Sequence, residues 1–156
     1  MYLVECKPDA ILIRSLTLAS RKEIEHSGNK SHLLKKLTEN YTNSKGMIDE
    51  DPGRIQPAPL QKFKEEQDLT IYDLRIMHQA TRNNMLIILR PTLEDWILKA
   101  AREANIDPKE YNLPNESIGL HGQINFLLDK FQKLLDELRI ESNRLRELKK
   151  YLTTDI

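Results

Sequence analysis

Ile24-Glu25-His26-Ser27-Gly28-Asn29-Lys30-Ser31-His32-Leu33-Leu34-Lys35-Lys36-Leu37 packs a short strand, a polar turn and the opening of a helix into one run of sequence. Ile24 to His26 is β-prone, Ser27 to Ser31 turns the chain, and Ser31 is placed to cap a helix whose apolar residues Leu33, Leu34 and Leu37 fall at helical spacing. The same alternation continues on both sides. Upstream, Tyr2-Leu3-Val4 is a short strand ending at Glu5, and Lys7-Pro8-Asp9 gives turn residues and an acidic start to a helix over Ala10 to Ser20. Downstream, Gly46-Met47-Ile48 is a third strand that stops in Asp49-Glu50-Asp51-Pro52-Gly53. Strand, helix, strand, helix, strand at this rhythm implies βαβ units and a mainly parallel sheet flanked by helices, an α/β fold.

The middle is less regular. Pro52, Pro57 and Pro59 mark a surface loop, followed by a short polar helix around Leu60 to Gln67. Ile71 to His78 and Met85 to Arg90 read as two further strands joined through Thr81-Arg82-Asn83-Asn84, where the asparagines suit a turn. Pro91 and Thr92 open a helix whose stripe is Leu93, Trp96, Ile97 and Ala100, with Glu94 and Asp95 in its first turn. Beyond Pro108 and Pro114 the pattern is helical only. Ile124, Leu128, Phe131, Leu135, Leu138, Leu145, Leu148 and Leu152 recur in three- and four-residue steps, broken at Ser142. That stripe fits a helix laid along the domain or the seam of a homodimer. The expected organisation is an α/β domain over residues 1–105 and a C-terminal helical extension over 106–156.

The chain has 156 residues, enough for a real core without disulfides or a structural metal. Its single cysteine, Cys6, fits a reducing, cytoplasmic setting and leaves no cysteine-based zinc or iron–sulfur site. No apolar run approaches the length of a membrane span, and the N-terminus lacks a signal-peptide pattern. With 24 Lys+Arg against 24 Asp+Glu, the whole molecule has no positive excess to draw it onto phosphate. The charge is uneven, however. Lys7 to Lys45 carries eight basic and four acidic residues, either a local basic face or ordinary solvated helix exteriors.

The chemistry concentrates in carboxylates. Glu5 follows the first strand, and Asp49 and Asp51 end the third. Ligands of open parallel sheets bind beyond the carboxyl ends of the strands, which is where these acids fall. Residues two apart in an extended chain face the same way, so Asp49 and Asp51 can share a pocket while Glu50 turns aside. Hard cations such as Mg²⁺ take carboxylate oxygens, waters and substrate phosphate, and converging carboxylates need a cation to offset their repulsion. The same Asp-Glu-Asp-Pro-Gly run also reads as an ordinary acidic turn.

Leu3-Val4-Glu5-Cys6-Lys7-Pro8-Asp9, then His26-Ser27-Gly28-Asn29-Lys30 before a helix, then Met47-Ile48-Asp49-Glu50-Asp51 after it, resembles the toprim (topoisomerase–primase) domain. That family places a glutamate after its first strand and an Asp-x-Asp pair after its third, and uses them for divalent-metal chemistry on nucleic-acid phosphodiesters. The resemblance implies that Glu5, Asp49 and Asp51 are catalytic and hold Mg²⁺ or Mn²⁺. Arg90-Pro91-Thr92-Leu93-Glu94-Asp95-Trp96-Ile97-Leu98 resembles a segment of small stand-alone toprim-like proteins related to the overcoming-lysogenization-defect nucleases, which would bring Glu94 near the metal. Two departures stand out: Cys6 occupies a place where the family usually has glycine, and Gly53 replaces an acid often found in topoisomerases. The expected activity is therefore that of a metal-dependent nuclease rather than a topoisomerase. The alternative is a non-catalytic scaffold that partners an ATPase, or a second copy of itself, through its C-terminal helix.

Lys30, following Gly28 at a helix start, is placed to hold a substrate phosphate or reads as an exposed lysine in a capping turn, and Lys7 beside Glu5 is a second phosphate contact or a partner for an acid. Gly28-Asn29-Lys30-Ser31 lacks the span of a Walker A loop. The histidines His26, His32, His78 and His121 show no ligand spacing, and only His26 falls on the edge that carries the acids. Cys6 reads as a small apolar residue and Trp96 as a helix anchor.

Overall fold

A computed structural model describes all residues, Met1–Ile156. The six strands are β1 (Tyr2–Val4), β2 (Ile24–His26), β3 (Lys45–Asp49), β4 (Lys64–Leu69), β5 (Leu74–Gln79) and β6 (Asn84–Leu89). The helices are α1 (Lys7–Leu16), α2 (Lys30–Glu39), α3 (Leu93–Glu103), α4 (Ser117–Gln123), α5 (Leu128–Glu141) and α6 (Asn143–Thr153). One sheet runs in the order β2-β1-β3-β6-β5-β4. The pairs β1/β2, β1/β3 and β3/β6 are parallel, while β5 and β4 join antiparallel. The expected α/β architecture, a mainly parallel sheet with flanking helices and a helical C-terminal part, is the one observed.

Both faces of this sheet are covered, which is why its central strand reads as a continuous apolar run. In β6, Met85, Ile87 and Leu89 join the larger core, and Leu86 and Ile88 join the smaller. The chain goes from β1 out to β2 and then back across β1 to β3. Right-handed crossovers in opposite directions put α1 and α2 on opposite faces, and their apolar residues fall accordingly: Leu12, Ile13 and Leu16 in the larger core, Leu33, Leu34 and Leu37 in the smaller. Gly46 is required by that second packing, because a Cβ there would stand 2.7 Å from the Leu37 side chain.

Several boundaries differ from expectation: the first helix ends at Leu16 rather than Ser20, and β5 begins at Leu74 rather than Ile71, after a tight turn at Thr70–Tyr72. Helix α1 begins at Lys7, since Pro8 suits a first turn and the Asp9 carboxylate reaches back to the Cys6 amide. Helix α2 is capped by Asn29 rather than Ser31, its side chain accepting from the His32 amide at 2.9 Å. Residues 64–69 form edge strand β4 where a polar helix was expected. Their Lys-Glu-Glu-Gln composition carries no β signal; charged residues suit a sheet edge, and tertiary pairs hold the strand, Arg75 with Glu65 at 2.5 Å and Arg90 with Asp68 at 2.8 Å.

The C-terminal stripe is closed over within the chain. Phe131, Leu135, Leu138, Leu145, Leu148 and Leu152 are essentially inaccessible and share one core with Val4, Leu12, Trp96 and Ile97. Ser142 breaks the helix as expected, ending α5 and capping α6. Two polar anchors fix α6. The buried Lys45 ammonium, at the start of β3, donates to the carbonyls of Tyr151 and Leu152 at 2.8 Å each, and to that of Thr154. It caps the negative end of the helix. At the other end buried Arg144 meets Asp73 at 2.7 Å and also Glu103 of α3. Of the two readings of this stripe, a helix laid along the domain is the one observed: its apolar residues are spent on the chain's own core.

Candidate functional site

Four parallel strands end on one edge, and the topology reverses between β1 and β3. Such a reversal leaves a crevice, because the crossovers on either side leave in opposite directions. Glu5 follows β1 and Asp49 is the last residue of β3, so the two flank that switch point. The opening turns of α1, α2 and α3 surround it. Gly28, at φ +80°, lets the chain turn from β2 into α2 while its amide donates to the Glu5 carbonyl at 3.2 Å.

Each expected residue has a definite setting. Asp49 Oδ1 accepts from the Leu93 amide at 2.8 Å, joining Thr92 in satisfying the start of α3. Asp51 sits in a left-handed turn at φ +50° and its Oδ2 lies 2.8 Å from the Lys30 ammonium, which also donates to the Glu50 carbonyl at 3.2 Å. Lys30 is thus largely buried and held by the β3 loop, where a free phosphate contact was expected. Glu50 turns aside to Arg90, at 2.7 Å, but strand alternation is not the cause, since β3 ends at Asp49 and Asp51 is in a left-handed turn. Glu94 is buried in the first turn of α3. Lys7 is exposed.

Two further residues belong here that sequence reasoning passed over. Asp9 is buried against the start of α1, accepting from the Cys6 amide at 3.0 Å and the Cys6 thiol at 3.2 Å. The legible sign was its place three residues after the helix cap, which aims a carboxylate back at the strand end. His121, from α4, brings Nδ1 within 3.2 Å of Glu94 Oε1. Nothing in its local sequence announces that contact.

These acids burden one another. Burial, then the charges of Asp9, Glu94, Glu5 and Asp51, push the Asp49 carboxyl up to about 8. Burial pushes Asp9 up to about 7 against the stabilising Cys6 groups, with Glu5 and Glu94 adding to the rise. Glu5 is raised by burial, partly relieved by Lys30 and the Asp49 amide. Burial and the adjoining Asp9 carboxylate raise the Cys6 thiol too, so it is no nucleophile. The rim therefore gathers Glu5, Asp9, Asp49, Asp51 and Glu94, with Lys30 the ammonium bound among them.

A hard divalent cation fits this donor set in charge and chemistry. The arrangement is not a finished cage: no three His, Cys, Asp or Glu side chains are disposed to hold a metal ion. Of the expected ligands Glu5, Asp49, Asp51 and Glu94, Asp51 is paired to Lys30 and one oxygen of Asp49 accepts from the Leu93 amide.

The rim makes stability depend on pH in a definite direction. A free aspartate ionises near 3.8, whereas Asp49 and Asp9 keep their protons up to about 8 and about 7. The folded state holds protons that the unfolded chain has lost, so stability falls as pH rises from about 4 through about 8. Thermal melts in chelator are expected to fall steadily over that window, and millimolar Mg²⁺ should restore more at about pH 8 than at about pH 5.5. A melting temperature that climbs through the window would contradict this electrostatic picture.

Compared with known proteins, the chain matches no family model, no curated sequence and no solved structure.

Proposed function

We propose that the chain is a Mg²⁺- or Mn²⁺-dependent nuclease of toprim-like type, hydrolysing phosphodiesters of DNA or RNA at the β1/β3 edge. One observation carries the reading: Glu5, Asp9, Asp49, Asp51 and Glu94 collect at a topological switch point, where burial and one another's charge hold Asp49 and Asp9 above the ordinary aspartate range. Asp9 and Asp49 each accept one backbone amide at a helix start, but gathering five carboxylates at one edge costs more than those bonds require, which is the pattern of a site kept for chemistry.

In this reading Asp49, Asp51 and Glu5 hold the cation, with Glu94 beside them. A bound divalent ion supplies a water of lowered pKa and offsets charge on the scissile phosphate. Glu5, raised by burial, would serve either as one of those ligands or as the base that takes the proton of the attacking water. Were Asp51 to hold the cation, the Lys30 ammonium now paired to it would be available to a phosphate oxygen. Asp9 and His121 act as positioning residues, the first fixing the Cys6 turn that presents Glu5, the second holding Glu94. A cytoplasmic setting agrees with the single, unreactive cysteine; no helix is long and apolar enough to cross a membrane.

A second reading is favoured by the Lys30–Asp51 pair and the lack of a preformed cage: a non-catalytic platform that meets an ATPase or another partner. Incubating the protein with supercoiled plasmid and with single-stranded RNA separates the two. Cleavage in Mg²⁺ or Mn²⁺ that stops in chelator is the expected result. No cleavage, together with no calorimetric uptake of either metal at millimolar levels, would replace the nuclease with the platform.

A further inference from the structure

A cleft of about 690 Å³ runs beside the rim, between α1, β2 and α5. Its size is that of a ligand site rather than a packing defect. Lys7 and Arg14 stand two helical turns apart on the outer face of α1, about 10 Å along its axis, opposite the face that gives Leu12, Ile13 and Leu16 to the core. Arg21 comes from the turn before β2, and His26 ends that edge strand. The floor between them is apolar, with half-buried Ile11 and Leu128 at its surface.

Two features mark this cleft. Lys7, Arg14, Arg21 and His26 make no ion pair, in common with most basic side chains of the chain, but here the four line one cleft. Basic groups brought together without partners repel one another, and only Asp129 lines the cleft as a counter-charge. The cleft also has a direction. Lys7 is two residues from Glu5, and His26 ends the strand beside β1, so one end opens at the carboxylate rim while Arg14 lies further along α1.

We infer that this cleft binds a single strand of nucleic acid leading away from the acidic rim, its phosphates on Lys7, Arg14 and Arg21 and its bases against Ile11 and Leu128. The substrate class rests on the nuclease reading; the cleft supplies what that reading lacks, a seat for polyanion in a chain with no net positive charge. A strand is favoured over a duplex because only unpaired bases can reach the aliphatic floor of Ile11 and Leu128 between the basic side chains, whereas a duplex offers phosphates alone to such a groove.

The test is fluorescence anisotropy with a labelled single-stranded oligonucleotide, as DNA and as RNA, in chelator so that binding is read without cleavage. The double variant Arg14→Gln, Arg21→Gln removes two charges that make no bond within the protein, and its melting curve verifies the fold. It is expected to weaken binding at least about tenfold and to flatten the slope of log affinity against log salt by about 1.4, two contacts at about 0.7 each. Lys149→Gln, on α6 and outside the cleft, should change neither. Unaltered affinity and slope in the double variant would overturn the inference, as would a duplex bound more tightly than the strand by the wild-type protein. The two readings fail separately. Binding lost in the double variant, with no cleavage by either protein, upholds the cleft and refutes the nuclease; cleavage by the wild type with unaltered binding in the variant does the reverse.

Discussion

Asp49→Asn is expected to abolish cleavage and, at alkaline pH, to make the protein more stable. The amide keeps the oxygen that accepts from the Leu93 amide at 2.8 Å, so the start of α3 is not disturbed. What disappears is a charge that burial and the carboxylates of Asp9, Glu94, Glu5 and Asp51 oppose, as its rise from 3.8 to about 8 records. Each unit of such a rise corresponds to about 1.4 kcal/mol between the two protonation states, so ionised Asp49 is a burden on the order of a few kcal/mol to the metal-free fold. Loss of a group that holds the ion takes with it the activated water and the charge set against the scissile phosphate, so no cleavage above background is expected. Cleavage and melting temperature at about pH 8.5, measured on the same preparation, should therefore move in opposite directions. A variant that cleaves normally, or that loses stability at that pH, contradicts the assignment. Asp49→Ala is the weaker probe, because it also removes the acceptor at the helix start, worth about 1 kcal/mol.

Removal of residues 143–156 is expected to unfold the remainder of the chain. Leu145, Leu148, Tyr151 and Leu152 are buried in the larger core, at about 2 kcal/mol each. Their sum of about 8 kcal/mol is comparable to the whole stability of a domain this size. Lys45 would lose its carbonyl partners, leaving a buried ammonium unsatisfied, and Asp73 and Glu103 would lose Arg144. Circular dichroism should show loss of the cooperative melt, and size-exclusion an expanded or aggregated chain. Were the helix a detachable dimer seam, the shortened protein would melt cooperatively and merely change its oligomeric size.

The first half of the fold was legible because its signals are local. Tyr2-Leu3-Val4, Ile24 to His26 and Gly46-Met47-Ile48 are apolar runs closed by polar turns, and the helices between them carry their own caps and stripes. Strand β4 was not legible, since its reason lies in partners on β5 and β6 rather than in Lys-Glu-Glu-Gln itself. The destination of the C-terminal stripe was equally hidden: heptad-like spacing states that a face is apolar, and the cover is named only by Lys45 and Arg144, which lie far from one another in sequence. For the candidate site, order along the chain placed Glu5 and Asp49 at one edge. It did not show that Lys30 holds Asp51, that Asp9 is buried beside them, or that His121 reaches Glu94, because each is a long-range contact or a matter of burial.

The most direct trial of the carboxylate rim is anomalous diffraction from crystals of the protein grown or soaked in millimolar Mn²⁺. A peak is expected between Glu5 and Asp49, with Asp51 turned from Lys30 toward the ion. No peak at the β1/β3 edge, with Asp51 still paired to Lys30, would contradict a metal-dependent nuclease.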